Sequence, residues 1–69
     1  MTSRFNVGRS LRAAQEIREM PNSIVATEMG VGNQQISIWR HKADNKFSTV
    51  KKLADLFDMT LDEFDRLGR

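Results

Sequence analysis

Sixty-nine residues leave room for one domain with a small core, near the lower size at which a chain folds without a brace. There is no cysteine, so neither a disulfide nor a thiolate metal site is on offer, and helix packing, helped by pairing of two copies, has to supply the stability. No apolar run approaches membrane-spanning length and the first ten residues lack a hydrophobic signal segment, which makes a soluble, cytoplasmic protein with no membrane partner the expectation.

The net charge of +2 conceals a division along the chain. Residues 1–52 carry nine Lys and Arg against four acids, which is +5, and residues 53–69 carry two Arg against five acids, which is −3. A basic body with an acidic end suits a protein that turns one face toward phosphates.

Met1 to Arg4 reads as a loose basic arm. Asn6 can cap a first helix running to about Glu19, with Val7, Leu11, Ala14 and Ile17 on its apolar face. Pro21 is expected to end it, because proline disfavours the helical region in the residue before it and has no N–H to donate. Asn22 or Ser23 then caps a second helix, about 23–29, and Gly32 or Asn33 starts a third, about 33–41. His41 to Lys46 is a polar loop. Ser48 is the expected cap of a fourth helix, about 49–57, where Val50, Leu53, Ala54 and Phe57 fall at i, i+3, i+4 and i+7, with Phe47 placed to staple it to the core. Thr60-Leu-Asp-Glu63 spells a capping box, opening a last helix whose Leu61, Phe64 and Leu67 face inward or toward a partner and which Gly68 ends. With no repeat and no strand-period segment of any length, the expectation is a single all-α domain of five helices over residues 1–69.

The second and third helices have the spacing of a helix-turn-helix at about 23–41. Val25, Ala26 and Met29 share one helical face, Gly30 stands where the chain must enter the left-handed region, and Val31 is the apolar residue that pins the turn. Ile36 and Trp39 then form an i, i+3 stripe on the following helix, and Ala26 is small where the two helices would cross. With these positions and Leu53-Ala54 through Phe57 to Thr60-Leu-Asp-Glu-Phe64, the chain resembles the Cro and phage-repressor helix-turn-helix family, also called XRE-like, from about Val7 to Phe64. Gln35-Ile-Ser-Ile-Trp-Arg40 followed by Lys46-Phe-Ser48 is similar, more narrowly, to lambdoid CII-type transcription activators. The chain departs from the family at Pro21, where Ser or Thr is usual, and at Asn22, where a longer Gln usually touches a phosphate. It departs again at Arg40-His41-Lys42, which adds positive charge and lacks the usual glycine stop.

The resemblance implies a five-helix lambda-repressor-like domain whose third helix lies in the major groove of double-stranded DNA. With Ile36 and Trp39 inward, Asn33, Gln34, Ser37 and Ile38 face outward and Gln35 lies at the edge, five candidates for reading base edges. Side-chain amides donate and accept in one plane, matching adenine N6 and N7, and Ile38 suits a thymine methyl. Arg40, Lys42 and Lys46 would flank the groove as phosphate contacts, joined by Arg9 and the arm residue Arg4, and by Asn22 and Ser23 at the start of the second helix. Lys51 and Lys52 fit phosphate contact or simple solubility equally.

His41 is the only histidine, and without cysteine or a partner at ligand spacing it makes no metal site and no catalytic dyad. No nucleophile or phosphate-binding glycine loop can be assembled either, so neither an enzyme nor a cofactor is expected. The leading expectation is a small phage or prophage repressor. It would act as a homodimer on a palindromic operator, with half-sites about 34 Å apart and Leu61, Phe64 and Leu67 at the dimer surface. One alternative is a CII-type activator that also contacts RNA polymerase. Another, of a different class, is an antitoxin-like or anti-regulator module using the same fold on a protein.

Overall fold

A computed structural model describes residues 5–69 as five α-helices: α1 (Val7–Ile17), α2 (Asn22–Met29), α3 (Asn33–Arg40), α4 (Phe47–Leu56) and α5 (Leu61–Leu67). No strand occurs among the described residues, and the basic arm expected at Met1 to Arg4 lies outside them. The helical periodicity delivers one core: Val7, Leu11 and Ala14 of α1, Val25 and Ala26 of α2, Ile36 of α3, Val50, Leu53 and Ala54 of α4, then Phe57 and Phe64. α1 packs against α3 and α5, α2 against α3 and α4, and α4 against α5. Phe57 stacks on Phe64 at 6.3 Å between ring centroids, and Phe5 meets Phe64 edge-on at 6.1 Å. Such pairs contribute about 0.5–1.5 kcal/mol each beyond area burial, which matters in so small a core. The Cα radius of gyration, 10.8 Å, equals the roughly 11 Å of a compact chain of this length.

Two helix starts follow side-chain chemistry. Asn6 Oδ1 accepts from the Arg9 N–H at 3.0 Å. At α5, Thr60 Oγ1 accepts from the Glu63 N–H at 3.1 Å while the Thr60 N–H donates to the Glu63 carboxylate at 2.9 Å. That backbone donor first, and the Thr60 hydroxyl second, hold the Glu63 carboxyl below its ordinary value. Three other starts carry no side-chain cap. Pro21, not Asn22 or Ser23, stands at the N-cap of α2, and Gly32 stands at that of α3. α4 begins at Phe47, behind Lys46, so Ser48 lies inside the first turn and caps nothing. Phe47, the first residue of α4, is no staple either, since it is 69% exposed.

Three helices end the same way. After α1, α2 and α4 the residues Glu19, Gly30 and Asp58 turn left-handed with φ of 54°, 72° and 57°. The next residue then donates back across the last turn, Met20 to Gln15 O, Val31 to Ala26 O and Met59 to Ala54 O, all at 2.9–3.0 Å. This is the Schellman stop, and Met20, Val31 and Met59 each turn an apolar side chain onto the core behind it. Thus α1 ends four residues before Pro21, and the proline is not its terminator. The stop also swings Met20 inward in place of Ile17, which is 55% exposed. Beside it the Arg18 guanidinium donates to the Phe57 carbonyl at 3.0 Å, tying the end of α1 to the end of α4.

Candidate nucleic-acid interface

The turn Gly30-Val31-Gly32 joins α2 to α3, which pack together, with buried Val25 and Ala26 of α2 and Ile36 of α3 in the shared core. Ile36 is buried and Trp39 is half-buried against the core, so the remaining positions of α3 have to face out. Asn33, Gln34, Ser37 and Ile38 are exposed, Ile38 at 56%, and Gln35 is half-buried at the edge. The outward surface is therefore made of amides, a hydroxyl and one aliphatic group.

The segment leaving α3 is seated on the start of α1. The Val7 and Gly8 N–H groups, which have no partner inside their own helix, donate to Ala43 O at 2.8 Å and Lys42 O at 2.9 Å. Carbonyls of the loop that leaves α3 thus satisfy free amides at the start of α1. The contact joins the first turn of α1, which carries exposed Arg9, to the loop that carries exposed Lys42 and Lys46. None of Arg9, Lys42 and Lys46 has an ion pair among the described residues. The ion pairs among the described residues lie in the C-terminal part, Lys51 with Asp55 at 4.0 Å, Arg66 with Asp62 at 2.8 Å and Arg69 with Asp65 at 2.6 Å, while exposed Asp44 shares the loop of Lys42 and Lys46. Lys51 is thereby drawn toward an acid of its own helix, while Lys52 is exposed and unpaired among the described residues.

Two of the candidate phosphate residues are engaged inside the protein. The Arg40 guanidinium donates through Nη1 to Gln15 Oε1. Asn22 accepts from Gln15 Nε2 at 2.9 Å and donates to Ser37 Oγ at 3.4 Å, so both ends of its short amide are already bonded within the protein. Ser23 is exposed on the first turn of α2, its carbonyl taken by the Thr27 hydroxyl at 2.9 Å. Gln15, which joins Asn22 and Arg40, is absent from the residues singled out by motif. Its signal in the sequence is position: it lies at i+4 from Leu11 and next to Ala14, and a polar side chain at core spacing has to find partners.

The dimer expectation needs one correction. Phe64 is fully buried between Phe5 and Phe57 and presents nothing to a second molecule, whereas Leu61 and Leu67 are half-buried. Leu61 shares an apolar groove with Phe5, Val7, Phe47 and Val50. Among the described residues no three His, Cys, Asp or Glu side chains gather as a metal site, and no helix is long and apolar enough to cross a membrane. Comparison of the chain with protein-family models, with curated proteins and with solved structures finds no match.

Proposed function

We propose that this protein is a sequence-specific regulator of transcription that binds double-stranded DNA, with α2 and α3 as a helix-turn-helix and α3 entering the major groove. The observation that carries the reading is the composition of one surface. α3 turns Asn33, Gln34, Ser37 and Ile38 outward, uncharged groups suited to base edges, while Arg9, Lys42 and Lys46, without an ion pair among the described residues, stand on the loop that leaves α3 and on the turn of α1 that this loop meets. Amides and a hydroxyl can donate to and accept from base edges, and cations supply the phosphate attraction that all sequences share; here the two kinds of group lie on neighbouring segments.

In this reading Gln34, Asn33 and Ser37 supply discrimination, with Gln35 at the margin and Ile38 against a thymine methyl. Lys42, Lys46 and Arg9 supply affinity. The regulator is a small repressor of phage type, and two copies related by a two-fold axis occupy a palindromic operator. Selection from random duplex DNA, followed by binding of variants to the selected site, tests it. Gln34→Ala is expected to weaken the selected site by about 1–3 kcal/mol and random duplex hardly at all. Lys46→Ala is expected to weaken both alike and to reduce the salt slope by about one unit. Selection that yields no enriched sequence removes the reading, and equal losses on both duplexes for Gln34→Ala remove Gln34 as a reader.

A further inference from the structure

We infer that Gln15 is a positioning residue for the DNA contact, holding Arg40 and Asn22 in register without neutralising the arginine. The inference rests on the DNA-binding reading and goes beyond it, since Gln15 lies on α1 and is 5% exposed. Its amide is used at both ends. Nε2 donates to Met20 O at 3.1 Å and to Asn22 Oδ1 at 2.9 Å, and Oε1 accepts from Arg40 Nη1. Asn22 passes the connection on to Ser37 Oγ at 3.4 Å, and Ser37 stands one turn before Arg40 on α3. Arg40, Gln15, Asn22 and Ser37 therefore close a ring through three helices, on the rim of the core beside the outward face of α3.

The choice of an amide is what gives the ring a function. A carboxylate at position 15 would hold a guanidinium more firmly, by a charge-assisted bond, but would cancel its charge. The glutamine carbonyl fixes one nitrogen of Arg40 and leaves the full positive charge and the other N–H donors available to a phosphate. Arg40 is also the only cation on α3 itself, so its direction relative to Ser37 sets how a backbone contact registers with a base contact. A side chain held this way by a buried neighbour loses little freedom on binding.

Two near-isosteric replacements separate position from charge, measured on a random-sequence duplex and on the site enriched by selection. The folded fraction is followed through Trp39, the single tryptophan, so that binding is compared per folded molecule. Gln15→Met leaves Arg40 charged but unheld. It is expected to weaken the selected site about tenfold while the salt slope on random duplex stays that of the wild type. Gln15→Glu keeps an acceptor for Arg40 but neutralises it and gives up the two bonds that Nε2 donates, and is expected to lower affinity for both duplexes and to reduce the salt slope by about one unit. A structural role alone would move the unfolding midpoint and leave the binding of folded protein unchanged. The inference is overturned if folded Gln15→Met binds the selected site as tightly as the wild type, or if Gln15→Glu leaves the slope where it was. Wild-type protein that binds no duplex at all removes the DNA reading and this inference with it.

Discussion

A methyl group added at Gly8 would lie 2.7–2.8 Å from three backbone carbonyl oxygens, those of Arg40, Lys42 and Trp39. Backbone cannot step aside as a side-chain tip does, so α1 and the exit of α3 have to separate. Gly8→Ala is expected to cost about 1–3 kcal/mol, read from the denaturant midpoint. Gly30 is required for an unlike reason. Nothing lies within 4 Å of where its Cβ would be, but its φ of 72° disfavours any side chain, and Gly30→Ala is expected to cost about 1–2 kcal/mol. The two mechanisms part at a rescue: Asn, which tolerates the left-handed region, recovers most of the loss at position 30 and none at position 8. Rescue at both positions, or at neither, contradicts this assignment.

Helix ends show how far a sequence discloses its elements. The end of α2 is legible because a glycine occupies the left-handed position, whereas the same stop after α1 and α4 is concealed by Glu19 and Asp58. Neither residue is a conventional terminator, and what makes the turns form is tertiary: Met20 and Met59 fold back onto a core that the local sequence does not display. Glu19→Gly is expected to stabilise by about 1 kcal/mol and Asp58→Gly by less, since aspartate enters this region more readily than glutamate. Thermal unfolding measures both, and destabilisation by Glu19→Gly would mean that its side chain contributes more than its backbone costs. Starts divide likewise. Asn6 and Thr60 announce themselves by their oxygens, while Pro21 and Lys46 open helices with no side-chain cap. At the candidate site, the outward face of α3 is readable from period alone once Ile36 and Trp39 are recognised as inward. The ring through Gln15 is not, because its partners stand 7 and 25 residues away and meet only when three helices cross.

For the molecule as a whole, on the proposed palindromic operator with half-sites about 34 Å apart, extents of 35 × 20 × 19 Å would let one copy cover one half-site with a second copy beside it. With Phe64 withdrawn into the core, apolar surface near α5 among the described residues includes half-buried Leu67 and the groove of Leu61 and Phe47. Phe47→Glu is expected to move the sedimentation mass toward the monomer without changing the unfolding midpoint, since so exposed a side chain adds little to the core. An unchanged mass excludes that corner from self-association. The seat of the α3 exit on α1 has a consequence for motion. Amides in the first turn of a helix ordinarily exchange with solvent freely, because nothing in the helix accepts from them. Those of Val7 and Gly8 instead bridge to carbonyls some 35 residues along the chain. Their exchange is expected to be slow and to follow the opening of the entire fold, as deuterium exchange would show; fast exchange would mean the contact opens alone. The segment that leaves α3 then behaves as a strut, as rigid as the domain that carries it.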